Sequence, residues 1–526
     1  MTPMLPVRLS RASSALALPF ALLAIWLSGG VQIGSGNHAG LLPVVQRLID
    51  PGYLPDDFGV GLRLYHHRVF AELLAAMVRM LGEAGGFALL TVLGMSGLML
   101  ALWRLARAGG LDARGYALLA ALLSTSALFV GRGLEVNDFL GNGPIMPPTF
   151  SHAAVLMSLV AVLERRPVAA LAWCGVTGLF HLQIGAVWLC VLLPLLAFDR
   201  PRPDARQWAL GFVLLVLCAL PAFSHLWRLA TEGLVAGSHT LDDVNFRMPH
   251  HFVLRGARHA LWPLAYLILL GVLAQRLRAA GEAAAARVYG LLFACCGLLG
   301  VFALLHFADY HFHLVPAGRL ARLQFIRLSP LVTVLGATGL IFAVQRWLAG
   351  RQPQAAAAVF AALAVLMLLP KIYGEWRAHG LDRAGIVWFG EADPQWLDVC
   401  LWARAHTPAE ARFLTPPGHS GFVSMAQRST VAEHKVNPDG GRGLAQWYER
   451  LRALTGDQPL PRLNDFSRNS TALDEAYARN DAARLRELGR RYGARYVILL
   501  PGMPAPGLVR YGNPRFRLAE IDTSSP

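Results

Sequence analysis

The chain has 526 residues, of which 55% are hydrophobic and 15% charged, with a mean hydropathy of +0.43 and a formal net charge of +15. Soluble domains carry about 25% charged residues and fewer apolar ones, and disordered chains are poorer still in apolar residues. Those classes are excluded, and a polytopic α-helical membrane protein is expected.

A membrane-spanning helix needs about 20 apolar residues. Runs of that character lie at 14–33, 86–106, 116–131, 149–163, 207–223, 259–275, 288–306, 328–347 and 355–370. The first has no small-residue cleavage site after it and reads as an anchor. A further run, from Pro167 to Phe198, is too long for one ordinary span and holds His181 and Gln183 at its middle. It reads as two short helices folded back at His181, which gives about 11 transmembrane helices. Arginine placement supports that parity. With the N-terminus inside, the inner loops hold fifteen arginines, from Arg8 to Arg351, against five acids. Short loops rich in Lys and Arg stay in the cytoplasm. If 167–198 were one span, the later arginine-rich short loops would fall outside. Most of the positive charge is therefore an orientation signal, and no nucleic-acid partner is expected. The same parity puts the C-terminus outside. Of six cysteines, only Cys400 lies beyond the apolar runs, so neither a disulfide framework nor a metal-ligand spacing results.

Composition changes near Tyr373, which divides the chain into a membrane module, 1–372, and an extracytoplasmic α/β domain, 373–526. In the latter, "ARFLTPP" and "ARYVILLP" read as buried strands bounded by proline. "AQWYERLRAL" and "TALDEAYARNDAARLRELGRRYG" read as amphipathic helices, the second stopping at Gly493.

Polar residues gather in the outer loops. The first, about 35–85, carries Asp50, Asp56 and Asp57 among turn formers, then an amphipathic stretch at 67–81 suited to a membrane surface. Clustered carboxylates beside a bilayer can serve as a general base or hold a divalent cation, Mg or Mn; a solvated loop with an Asp helix cap is the plain alternative. The second loop adds Glu135 and Asp138, with the same two readings. Loop 224–258 contains Arg247, His250 and His251. Loop 307–327 contains Asp309, His311, His313, Arg319, Arg322 and Arg327. Arg suits planar binding of phosphate, and outer arginines oppose the positive-inside bias, so they call for a local anion. Headgroup anchoring is the alternative. The histidine pair is a weaker candidate for substrate or metal.

This ordering, with a long acidic first outer loop, a short-helix pair and an outer α/β domain, resembles the GT-C superfamily of membrane glycosyltransferases. The tail is similar to the outer domain of oligosaccharyltransferase-like members in the layout of Trp402, Thr407, Pro408, Ala411, Phe413 and the stretch Arg428–Val431. "FRMPHHF" and "LTPP…GF" resemble uncharacterised bacterial GT-C-like membrane proteins. The sequon-reading WWD motif is absent, which argues against Asn-glycosylation of protein. The resemblance implies an inverting glycosyltransferase that uses a polyprenyl-phosphate sugar donor and a glycan, lipid or protein acceptor. It implies a first-loop acid, Asp56 or Asp57, as catalytic base or metal partner, and phosphate-binding residues drawn from Arg247, Arg319, Arg322 and Arg327. A transporter or flippase of a lipid-linked or anionic solute is the rival reading, against which stand the lack of a two-half repeat and of charge in the span centres. A non-catalytic membrane scaffold is the third.

Overall fold

The computed structural model describes residues 14–63, 67–125, 144–231, 246–253, 258–316, 319–349, 353–379, 385–390, 392–436, 438 and 441–522. The chain divides into two compact units. A helical unit holds Met1–Val31, Ala88–Ala222 and His251–Gly385. An α/β unit holds Gln32–Phe87, Phe223–His250 and Ile386–Pro526.

Among the described residues each apolar run of the sequence carries a helix. Arg68–Ala108, Ala205–His225, Ala260–Ala279, Ala283–Phe312 and Ala321–Leu348 are long and apolar enough to cross a membrane. Ala17–Leu27, Ala113–Ser124, Pro147–Leu163, Pro167–Phe180, Leu182–Phe198 and Ala358–Gly374 are shorter apolar helices. The protein is a helical polytopic membrane protein with a C-terminal mixed α/β region. The amphipathic stretch at 67–81 and the span expected at 86–106 are two helices that join within Arg68–Ala108 across a kink at Gly82, whose φ of 74° is open to glycine without steric cost.

The run 167–198 is two helices, broken at His181, where the backbone turns extended (φ −150°, ψ 93°). Its arms meet through glycine. A Cβ built on Gly185 would lie 2.6 Å from the Gly178 Cα, an approach that only a bare backbone permits. Two serine hydroxyls bridge neighbouring helices, which spares each an unpaired polar atom in an apolar core. The Ser158 hydroxyl donates to the Ala170 carbonyl (2.7 Å) and accepts from the Trp188 indole (2.8 Å). The Ser151 hydroxyl donates to the Thr177 carbonyl (3.2 Å).

In the α/β unit, Val31–Ile33 (β1) and Ile386–Trp388 (β2) form a two-stranded sheet. Arg412–Leu414 (β3), Ser429–Thr430 (β4), Tyr496–Leu499 (β5), Gly507–Gly512 (β6) and Arg517–Ile521 (β7) form a five-stranded sheet in the order β4-β3-β5-β7-β6. β3 is parallel to β4 and β5, and β7 is antiparallel to β5 and β6. The two predicted strands are β3 and β5, both central, which is why each reads as a continuous apolar run. Successive residues point to opposite faces. Leu414, Val497, Leu499 and Ala519 pack with Trp447, Leu485 and Leu488. Phe413, Tyr496, Ile498 and Leu518 pack with Trp396, Val399 and Phe422 on the other face.

The expected long helix ending at Gly493 is two helices, Phe466–Tyr477 and Ala482–Tyr492. Asp481 accounts for the break, since its carboxylate accepts from the Arg484 amide (2.7 Å) and starts a new helix. Gly493 does end it, in the left-handed region at φ 63°.

The Gly178–Gly185 contact yields a test of the hairpin. Gly185→Leu should push the arms apart and cost about 1–3 kcal/mol, the usual range for overpacking. Thermal unfolding of the detergent-solubilised protein should show a lowered midpoint, whereas Gly290→Leu, at a position with open space beside it, should leave it near wild type.

Candidate functional sites

The first cluster lies in the α/β unit. Residues 50–57 hold Pro51, Gly52 and Pro55, which favour turns. Asp50 uses one oxygen locally, accepting from the Gly52 amide (2.8 Å), and is exposed. Asp56 is exposed, and its backbone carbonyl accepts from the Arg412 guanidinium (3.0 Å). Asp57 is only 3% exposed. It caps the short helix Phe58–Leu62, one oxygen accepting from the Val60 amide (2.8 Å), while the other accepts from the Thr430 amide in β4 (3.2 Å). One carboxylate thus fastens the first loop to a strand far along the chain. Burial pushes its pKa up, opposed by the amides of Val60 and Thr430 and by the Arg412 charge.

Glu433 lies beside it. Its carboxylate accepts from the Gly421 amide (2.8 Å) and the Val423 amide (3.2 Å), and its carbonyl accepts from the Trp447 indole (2.8 Å). Burial, with the Asp57 charge adding to it, pushes this carboxyl up to about 7. Asp57, Glu433, Gly40, Arg63, Phe58 and Trp447 line a narrow cleft of about 370 Å3, part of it open to solvent. Gly40 makes room for the Arg63 guanidinium, which passes 3.1 Å from where a Cβ would stand.

Arg247 also belongs to the α/β unit. Its Nε donates to the Lys435 carbonyl (2.7 Å) and its guanidinium lies over the Phe466 ring, 5.3 Å from the centroid. The preceding residue, Phe246, is buried, and its carbonyl accepts from the Asn469 side-chain amide (3.0 Å). Arg247 therefore helps to dock its own segment on this unit.

The second cluster lies in the helical unit, where His181 breaks the hairpin. Arg327 donates to His181 Nε2 (2.6 Å), to His251 Nε2 (3.3 Å) and, through its own Nε, to the Gln324 side-chain oxygen (2.6 Å). The other ring nitrogen of His181, Nδ1, accepts from the Ile184 amide (3.4 Å). Gln324 takes a left-handed backbone, φ 53°. Gln183, at the tip of the hairpin, donates to the Arg322 carbonyl (2.8 Å). The Asp309 carboxylate accepts from the amides of Val315 (2.7 Å) and Ala321 (2.9 Å) and so folds the loop that leads into this segment. Arg322 is half-buried and Arg319 exposed.

Of the residues singled out in the sequence, the structure brings Arg327, His251 and His181 together, with Arg322 on the same short segment. Arg247 falls in the other unit, with Asp50, Asp56 and Asp57. Glu135 and Asp138 lie outside the described residues, as does the His250 side chain. Among the described residues no three His, Cys, Asp or Glu side chains are grouped to hold a metal ion, and the Asp57 and Glu433 oxygens are engaged by backbone amides. Sequence reasoning passed over Glu433 and Gln324. An acid inside the apolar "STVAEHK" was the available sign of the first; the second carries no local sign.

The family model that matches the sequence, over residues 394–454, is described as a domain of unknown function (DUF6798). No curated protein matches. Among solved structures, the arabinofuranosyltransferase AftD from Mycobacteria is similar over 98% of this chain and 40% of its own, with a TM-score of 0.53 and 14% identity. The fold of this chain is similar to that of AftD. This chain spans about two fifths of the length of AftD. ArnT from Cupriavidus metallidurans is similar over 97% of this chain and 98% of its own in the apo state, with a TM-score of 0.46 and 13% identity. Bound to undecaprenyl phosphate it is similar over 96% and 97%, with a TM-score of 0.42 and 14% identity.

The buried acids give a pH signature. Folding holds the Glu433 proton up to about pH 7, whereas the unfolded chain releases it near 4.5. Between these values the folded state binds more protons, so stability falls as pH rises through the window. Unfolding midpoints should be higher at pH 5 than at pH 8, and Glu433→Gln should flatten that difference. Asp57→Ala should cost about 1–2 kcal/mol through the lost cap. Chemical denaturation at the two pH values checks both.

Proposed function

We propose that the protein is an inverting glycosyltransferase that moves a sugar from a polyprenyl-phosphate donor to an acceptor at the outer face of the bacterial inner membrane. The observation that carries this reading is Arg327, held beside the His181 and His251 imidazoles at the broken hairpin of a GT-C-like fold. The His181, His251 and Gln324 side chains hold the guanidinium at this break. The arginine bias of the inner loops supports a cytoplasmic N-terminus and an extracytoplasmic α/β unit.

In such a transfer the acceptor hydroxyl attacks the anomeric carbon on the face opposite the phosphate. A C–O bond forms to the acceptor, the C–O bond to phosphate breaks, and the electron pair leaves with the lipid phosphate. Arg327 is assigned to that phosphate, where a preplaced cation is worth most as negative charge develops. Arg322, on the same segment, is assigned to the same group, and Arg319 to its approach. The hydroxyl proton goes to a first-loop carboxylate. Asp56 suits that role because it is exposed. Asp57 is assigned to holding the loop, since two backbone amides occupy its oxygens.

Transfer from labelled polyprenyl-phosphate sugars by the purified full chain tests the assignments separately. Arg327→Gln should lower the rate by about 10²-fold, the usual effect of removing one oxyanion partner, and Asp56→Asn should abolish it. Full activity of Arg327→Gln would overturn the phosphate assignment. Full activity of Asp56→Asn combined with Asp57→Asn would overturn the base.

A further inference from the structure

A cleft of about 430 Å3, partly open to solvent, lies in the helical unit among the ends of four helices. These are the C-terminus of Pro147–Leu163, the N-terminus of Pro167–Phe180, the C-terminus of Leu182–Phe198 and the N-terminus of the helix that starts at Ala205. Arg165, Arg166 and Arg202 line it together with Asp199, Gln207 and Leu196. These arginines belong to the set that orients the chain. Orientation requires only that they stand in the inner loops; it does not require two separate loops to bring them around one cleft.

The local acids are already engaged. Asp199 is held by Arg287, whose Nε donates to one oxygen (2.9 Å) and whose Nη2 pairs with the other, while the same guanidinium donates to the carbonyls of Val162 and Leu163. Glu164 receives both bonds of Arg104, each 2.9 Å, with Arg166 at 3.7 Å. Asp204, outside the lining, caps its helix by accepting from the Gln207 amide (2.7 Å). Among the described residues Arg165 and Arg202 are exposed and form no ion pair, and Arg166 is shared only loosely. The helix starting at Pro167 has no side-chain cap, so its positive N-terminal end also faces this region. The apolar surface next to the cleft is open. Phe198 is 77% exposed, and Leu210, Val213 and Leu217 are exposed along the helix that begins at the cleft.

We propose that this cleft binds the phosphate of an anionic phospholipid headgroup, with the acyl chains lying along Phe198 and the Leu210–Leu217 face. A doubly basic rim above a lipid-facing apolar wall fits an amphiphile with one phosphate end, and basic pockets between helices at the cytoplasmic side are suited to such headgroups. A free phosphate would use the arginines and leave the apolar wall without a role. The site is separate from the Arg327 cluster and does not depend on the glycosyltransferase reading.

The test uses the full chain in nanodiscs of phosphatidylcholine alone or with phosphatidylglycerol or cardiolipin. Retained lipid is read by native mass spectrometry and stability by thermal unfolding. The variant R165Q/R166Q/R202Q is compared with R114Q/R276Q/R278Q, which removes the same charge from other inner loops. Wild type and control should retain the anionic lipid and unfold later in its presence. The cleft variant should bind it at least tenfold more weakly while unfolding like wild type in phosphatidylcholine. R202Q alone gives an intermediate loss if the triple variant fails to fold. Retention within twofold of wild type by the triple variant, or by R202Q where that stands in for it, would overturn the proposal. So would protection by 10 mM inorganic phosphate with none from the anionic lipids.

Discussion

A bilayer gives the backbone no water to bond to, and this constraint governs the helical unit. Every span must satisfy its amides internally, so the membrane part is built of helices and its side-chain polar atoms must be tied to a neighbour. Ser158, shared between the Ala170 carbonyl and the Trp188 indole, shows the arrangement at one atom. Where the backbone leaves the helix, at His181, the freed polar groups need partners in protein. The break is therefore also where polar side chains collect. Gln183 reaches the Arg322 carbonyl and Arg327 reaches the His181 ring. The cluster proposed to take the phosphate is a consequence of breaking a helix there.

In the α/β unit, a carboxylate buried without a countercharge at hydrogen-bond distance has to be held by amides. Asp57 and Glu433 each take two, and those four bonds stitch the first loop, the segment after β3 and the segment after β4 into one body. Burial raises both carboxyls, and Glu433, pushed up to about 7, makes the unit's cohesion sensitive to pH near neutrality. The α/β unit is thus assembled from three stretches of chain, and its integrity rests on contacts between residues hundreds of positions apart.

The hairpin at 167–198, the central strands β3 and β5 and the helix stop at Gly493 were legible because each has a local cause: run length, apolar continuity and a glycine free to adopt positive φ. The break at Asp481 was also local, but the amphipathic pattern running across it hid the cap. The partners of the candidate residues were not legible. Asp56 and Asp57 are neighbours of the same type, yet one is exposed and the other buried against Thr430, a difference made by a strand in another part of the sequence. Arg247 and Arg327 carry the same chemistry, yet one docks a segment on Phe466 and Lys435 while the other faces two imidazoles.

By itself the sequence determined that this is a many-spanning membrane chain with an α/β tail, and its distribution of arginine supplied an orientation. Both follow from transfer free energies that act on each residue separately, so composition and order suffice. Only the tertiary structure decided which charges are spent on holding the fold and which stay open to a ligand. That depends on desolvation and on partners brought from distant positions: Asp199 is quenched by Arg287, whereas Arg165 and Arg202 stay exposed around the same cleft. Pairing between remote side chains has no period and no local signature, and packing alone fixes it.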